Sequence, residues 1–269
     1  MSAADLLGSV IAHLIAAPDF RGKDWLLRQL LRPLTGRFLR SGYGPWLRVD
    51  AADATCRFSL RCTRDYDPVF AEVDRLRPGM AFIDVGANAG LFTIVGAERV
   101  RDAGAVVAFE PNPPAFAALT ANLGRNGVRN AHAFELALGP ETASVAFDPG
   151  PAGHSGKAHL AAAGPLRVEQ AGPEKVLALL DPLIGERPTM IKIDVEGAEA
   201  RVVEALGPLL RRAQVETAIV EIDSGNLARF GAAPEAVYAA MSRFGFGPRR
   251  GPGAAEHYDE VFARSGPPA

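Results

Sequence analysis

Ten residues, 81–90, constrain this chain more than any others: Ala-Phe-Ile-Asp-Val-Gly-Ala-Asn-Ala-Gly. An apolar run stops at Gly86, a Gly-rich bend follows, and from Leu91 to Val100 apolar residues take up helical spacing. That is a strand, a tight turn and a helix. Gly86 and Gly90 carry no Cβ, so the backbone can bend sharply and a ligand can lie against it. The helix beginning near Gly90 points free N–H groups at the same crevice. Asp84, near the carboxyl end of a buried strand, requires a partner or a function. A second apolar run, 105–109, ends in Glu110. In a doubly wound fold an acid there accepts hydrogen bonds from a nucleoside ribose.

A dinucleotide site requires Gly-x-Gly-x-x-Gly, so that a pyrophosphate can rest on the helix N-terminus. Here those positions hold Gly86, Asn88 and Leu91, and only the first fits. Asn88 brings side-chain donors and acceptors instead. S-adenosylmethionine has no phosphate; its amino-acid end suits Asp84, Asn88 and the bend amides, and its ribose suits Glu110. The plain alternative is a strand–helix turn with no ligand.

At 269 residues the expectation is one core domain with an extension. Lys plus Arg number 29 against 31 for Asp plus Glu, which argues against a large nucleic-acid footprint. Cys56 and Cys62 stand six apart with no His or Cys cluster nearby, and read as reduced structural residues. Residues 1–40 look helical. The apolar run 6–17 is too short to span a bilayer and no basic residue precedes it, so no signal peptide is expected and the reading is cytoplasmic. Residues 25–34 mix Leu with Arg28 and Arg32, giving either a helix packed on the main domain or one lying on a membrane surface. Residues 46–62 alternate loosely and read as a hairpin. The domain reading is therefore a helical and hairpin extension, 1–64, followed by a cofactor-binding domain, 65–269.

From Ala81 strand and helix alternate, the signature of a parallel sheet covered on both faces. Strands are expected at 81–85, 105–109, 131–136, 189–194 and 217–222, with helices at 113–125, 173–183, 198–212 and 234–244. Residues 139–164 read as irregular, and 256–263 as a last edge strand. The stretch 190–199, Met-Ile-Lys-Ile-Asp-Val-Glu-Gly-Ala-Glu, is a second dense constellation. Ligands of open α/β sheets bind beyond the carboxyl ends of the strands, which puts Asp194, Glu196, Glu199, Glu221 and Asp223 near the edge that carries Gly86 and Glu110. Glu199 reads as a first-turn acid favoured by the helix dipole. Asp194 tips its strand and reads as functional, while Lys192 reads as paired with a neighbouring acid. His154 and His159 lie in the loop after the third core strand, and His154 is a candidate for proton transfer. His13, His132 and His257 read as structural or exposed. The loop 148–164, with the N-terminal helices, is expected to cover the acceptor.

Residues 84–90, then 109–112, then 192–199, together with 122–127, 137–139 and 220–222, resemble in order and spacing the FkbM family of S-adenosylmethionine-dependent methyltransferases. The resemblance covers about residues 65–247. It implies a class I methyltransferase fold, a Rossmann-like doubly wound, mostly parallel sheet with helices on both faces. It also implies methylation of a hydroxyl oxygen on a sugar, glycolipid or secondary metabolite. Carried over by position, Asp84, Gly86, Asn88 and Gly90 would hold the amino-acid end of the cofactor, with Ala87 and Pro111 among the cofactor-binding residues. Glu110 would hold the ribose, and Asn112 and Glu135 the adenine end. No catalytic residue carries over.

The expected activity is therefore S-adenosylmethionine-dependent O-methylation of a small-molecule or glycan acceptor, with no nucleic-acid partner and no transmembrane segment. Asp194 is the first candidate for the base, followed by Glu221 and His154. Asp194 with Glu221 could instead hold a divalent ion, or Asp194 could serve structure alone. A nicotinamide oxidoreductase and a non-catalytic cofactor-binding protein are the alternatives.

Overall fold

The computed structural model describes residues 10–265 apart from 12, 16, 19, 63–67 and 254. Residues 6–9, 12 and 16 of the apolar run 6–17, expected to be helical, lie outside them. Helix α1 (Lys23–Leu31) is followed by a hairpin of β1 (Phe38–Arg40) and β2 (Trp46–Arg48), then by α2 (Ala54–Arg61) and α3 (Pro68–Val73). The expected hairpin over 46–62 is thus a correction: the hairpin lies earlier, at Phe38 to Arg48, and Ala54–Arg61 is helical. The Asp53 carboxylate decides this. It accepts the Cys56 N–H at 3.1 Å and starts the helix.

The core alternates as the sequence implies: β3 (Ala81–Val85), α4 (Leu91–Val100), β4 (Ala105–Phe109), α5 (Pro113–Arg125) and β5 (Ala131–Phe134). A small excursion follows, of β6 (Ala137–Leu138), β7 (Ala143–Asp148), β8 (His159–Leu160) and β9 (Leu166–Ala171). The chain then returns through α6 (Pro173–Ile184), β10 (Thr189–Ile193), α7 (Glu199–Ala205), α8 (Gly207–Leu210) and β11 (Val215–Asp223). It ends with α9 (Ser224–Arg229), α10 (Pro234–Arg243), β12 (Phe246–Pro248) and β13 (His257–Arg264).

The main sheet runs β12-β13-β11-β10-β3-β4-β5, parallel from β5 to β11, with β13 antiparallel to β11 and β12 antiparallel to β13. This order is that of the class I methyltransferase sheet expected from sequence. The tail strand is not an edge strand, because β13 lies between β11 and β12. Residues 139–164 are also less irregular than expected: β7 pairs antiparallel with β9, and β6, β9, β7 and β8 form a second sheet.

Burial on both faces explains the apolar strands. All five residues of β3, of β4 and of β10 are buried. Successive side chains go to opposite layers: Ile83, Val107 and Ile191 pack with α6, α7 and α10, while Phe82, Val106 and Met190 pack with α4, α5 and the N-terminal elements. The extension therefore shares the second layer of the core, through Leu27, Leu31, Leu47 and Leu60. Polar contacts fix the docking. Asn126 exchanges two hydrogen bonds with the Trp46 backbone, both 2.8 Å, and the buried Asn122 accepts the Arg48 N–H at 2.7 Å. Asn122 also donates to the Ala89 carbonyl at 2.7 Å, which ties the hairpin to the turn after β3.

Candidate functional site

The strand order reverses between β3 and β10, which puts a ligand crevice beyond the carboxyl ends of those strands. A cavity of about 480 Å³ opens at that edge. One wall is the turn after β3. Gly86 (φ 82°) and Gly90 (φ 86°) take the left-handed conformation, and Asn88 joins them at φ 48°. Gly86 is required for a further reason: a Cβ there would collide with the Asp194 carbonyl oxygen. Its bareness lets the ends of β3 and β10 approach as closely as it lets a ligand approach. The amides of Gly86 and Ala87 both donate to the Phe109 carbonyl, at 2.9 and 3.1 Å.

Glu110, at the tip of β4, is the second wall. One carboxylate oxygen accepts the Asn88 N–H at 2.7 Å and the other the Asn112 N–H at 2.8 Å. Burial nevertheless lifts its pKa from 4.5 to about 7, against the pull of those amides. Asn112 is 3 % exposed, and its Oδ1 is a buried acceptor with no partner among the described residues.

The third wall, across the crevice, is acidic. Asp194, Glu196 and Glu221 each offer an oxygen within 4.8 Å of the others, a set a divalent ion could occupy. Lys192, buried inside β10, donates to Asp194 Oδ2 at 2.8 Å and lies over the Phe92 ring. Glu196 (φ 58°) accepts from Asn226 at 2.6 Å, and its pKa rises to about 7 through burial first and the neighbouring Asp194 second. Glu199 is an acid in the first turn of α7, and its carboxylate turns back to accept the Gly197 N–H, ahead of the helix, at 2.9 Å. Burial and Asp194 push the Glu221 carboxyl well up, and one of its oxygens stands 3.0 Å from His257 Nε2. That hydrogen bond holds the His257 proton more tightly than usual.

The roof comes from the second sheet and the extension. A short 3₁₀ turn, Ser155–Lys157, leans on α2: Ser155 donates to the two Asp53 oxygens at 2.8 Å (N–H) and 2.7 Å (hydroxyl), and the Gly156 N–H donates to Thr55 at 2.9 Å. Asn88 Nδ2 reaches Ser155 Oγ at 3.4 Å, linking roof to turn.

Of the residues singled out from sequence, Gly86, Asn88, Glu110, Pro111, His154, Asp194 and Glu221 line this cavity. Asp84 lies beneath it, fully buried, accepting the Thr93 hydroxyl at 2.6 Å, so any hold on a ligand from that side chain passes through the turn. Burial raises its pKa, with Lys192 pulling the other way. Ala87, Gly90 and Asn112 stand behind the wall, and Glu135 is exposed at the end of β5. His257, read from sequence as structural or exposed, is indeed exposed, but it also lines the cavity, which the sequence did not indicate. A tail strand antiparallel to the fifth core strand brings its first residues to the crevice, and the register sets His257 opposite Asp223. Lys157 and Thr55 were also missed, since only the packing of the loop on α2 brings them to the cavity.

The methyltransferase FkbM domain profile matches residues 84–248. The chain is 29% identical over 144 residues to the hexuronic acid methyltransferase AglP of Haloferax volcanii, covering 53% of this chain and 55% of that protein. It therefore spans about half the length of that curated relative. Among solved structures, a SAM-dependent O-methyltransferase of Thermotoga maritima aligns at 11% identity and TM-score 0.44, covering 86% of this chain and 78% of the other. Precorrin-6y C5,15-methyltransferase of Geobacter metallireducens aligns at 13% and 0.44, covering 76% and 90%.

Proposed function

Because the chain belongs to the FkbM family of S-adenosylmethionine-dependent methyltransferases, we propose that it transfers a methyl group from that donor to a hydroxyl oxygen of a sugar, a hexuronic acid in the first instance. The observation that carries the reading is the convergence, on one cavity at the reversal of strand order, of the Gly86–Asn88 turn, the Glu110 carboxylate and the acidic wall. The nicotinamide alternative has only Gly86 of its three glycines in place.

The residues fit the donor. Asn112 Oδ1 is an unspent buried acceptor just behind the Glu110 wall, and each Glu110 oxygen retains a lone pair for a ribose hydroxyl. The bare Cα of Gly86 and the Asn88 side chain would hold the amino-acid end, since the amides of residues 86–90 already donate within the protein. S-adenosylmethionine supplies a methyl group on a positively charged sulfur, already a strong electrophile. What remains for the chain is alignment and removal of the hydroxyl proton. Asp194 keeps one oxygen on Lys192 and has the other open to the cavity, placed to take that proton. Glu221, backed by His257, stands next to it. If a divalent ion sits among Asp194, Glu196 and Glu221, the same carboxylates act as its ligands instead. A uronate acceptor brings a carboxylate of its own, and Lys157 and His154 on the roof are suited to it.

The test is transfer of labelled methyl from S-adenosylmethionine to a glucuronoside, with the product oxygen located by NMR. A protein that binds the donor yet methylates neither a glucuronoside nor any hydroxyl compound in a metabolite extract would overturn the reading. Among the described residues no helix is long and apolar enough to cross a membrane.

A further inference from the structure

The outer face of α1 has a chemistry that the cavity does not use. Lys23, Leu27 and Leu31 recur every fourth residue and are buried, so the opposite face presents Trp25, Arg28 and Arg32 together. Trp25 is 65% exposed, and Phe20, just ahead of the helix, is 50% exposed. Beside them runs an open groove of about 380 Å³, lined by Val10, Leu14, Ala17 and Leu26 with His13. Apolar surface gathered in this way, ringed by charge, marks an interaction site.

The charge is one-sided. Between Phe20 and Arg48 seven basic residues stand against one acid, Asp24, in a chain whose overall balance is −2. That acid is already engaged, with its two oxygens accepting from Arg57 of α2 at 2.9 and 2.7 Å. Arg21, Arg28, Arg32 and Arg37 are exposed, and among the described residues none of them is in an ion pair.

We propose that this face docks on an anionic lipid surface. An indole suits the headgroup layer, where its ring is apolar and its N–H stays wet, and guanidinium groups meet lipid phosphates there. A protein partner matched to the arginines would supply carboxylates, but would leave the open groove without an occupant. A lipid surface supplies both anionic headgroups and acyl chain. The docked face is rigidly joined to the cavity, because Arg57 belongs to α2 and Ala54, Thr55 and Phe58 of that helix line the roof. On the methyl-transfer reading, on which this last step alone rests, the acceptor is then a glycan carried by a lipid.

Co-sedimentation of the full chain with phosphatidylcholine vesicles, with and without phosphatidylglycerol, tests the docking without any need for an acceptor. The protein is expected to pellet with the mixed vesicles, to stay in solution with phosphatidylcholine alone, and to be released by salt. A basic residue near such a surface is worth about fivefold in partition, so Arg28→Ala with Arg32→Ala should lower it about 25-fold. Trp25→Ser should lower it about tenfold if half of the exposed ring enters the headgroup layer. All these positions are exposed, and unchanged thermal melts check that the variants fold. No pelleting with anionic vesicles overturns the proposal, as does pelleting that the folded variants retain. Donor binding measured in the same samples separates a failure of docking from a failure of the methyl-transfer reading.

Discussion

Glu110 makes donor binding readable through pH. Its carboxylate is 6% exposed, and burial lifts its pKa from 4.5 to about 7. Ribose hydroxyls donate hydrogen bonds, so the bound state favours the ionised carboxylate. The sign follows. Below about pH 7 the empty protein holds a proton on Glu110 that must leave on binding, while above it nothing is released. Affinity for S-adenosylhomocysteine, the demethylated donor, should therefore be flat above pH ~7 and fall about tenfold for each unit below, roughly 1.4 kcal/mol at pH ~6. Glu110→Gln removes the titration. Its carbonyl can accept only one of the Asn88 and Asn112 amides, and its NH₂ must face the other. Loss of a charge-assisted hydrogen bond costs about 1.5–3 kcal/mol, so affinity at pH ~8 should drop about tenfold or more and the slope should vanish. Calorimetry in two buffers of different ionisation enthalpy reads both the affinity and the released proton. A flat profile for the native protein, or a slope that survives in Glu110→Gln, would refute the assignment of the ribose to this carboxylate.

Gly86→Ala should lower the urea midpoint by the equivalent of about 2–5 kcal/mol, since it adds left-handed strain to a collision with the Asp194 carbonyl; an unchanged midpoint would show that the strand ends can separate freely. Asp194→Asn should lose roughly 10²–10⁴-fold in turnover with donor affinity unchanged if Asp194 is the base, and a chelator should produce the same loss in the native protein if it is a metal ligand. Near-normal turnover in the folded variant removes Asp194 from the mechanism. Asp53→Ala should cost about 1–2 kcal/mol through the lost helix cap and should speed proteolysis near Ser155, with donor affinity nearly unchanged. Equal cleavage rates would mean that Asp53 does not hold the roof.

The core strands were legible because each is an apolar run bounded by turn residues, and burial on both faces leaves no other pattern. Gly86, Asn88, Glu110 and Asp194 were legible for a related reason: strand tips in a parallel sheet share one edge. Residues 139–164 were not, because β7 is a half-buried strand of small side chains, Ala-Ser-Val-Ala-Phe-Asp, with little apolar contrast. The helix at Ala54–Arg61 was hidden by aromatic and β-branched residues that favour strands locally, and a cap and tertiary packing overrode them. His257 could be placed only once the direction and register of β13 were known, since a shift of one residue would turn it to the other face. Asp84 shows the opposite limit. Its position in the motif was plain, but only the structure reveals that it serves the turn from beneath, through Thr93.

The insertion of β13 between β11 and β12 has a consequence for biogenesis. On the ribosome, β11 is made well before β13, and until residues 257–264 emerge its outer edge carries unpaired N–H and C=O groups. At ordinary synthesis rates that interval lasts about a few seconds, during which β11 can template the wrong neighbour. The residue at the start of the late strand is His257, the partner of Glu221. The nascent chain can thus form the Gly86–Asn88 turn before the acidic wall is complete, and β13 both seals the edge of β11 and brings His257 to that wall.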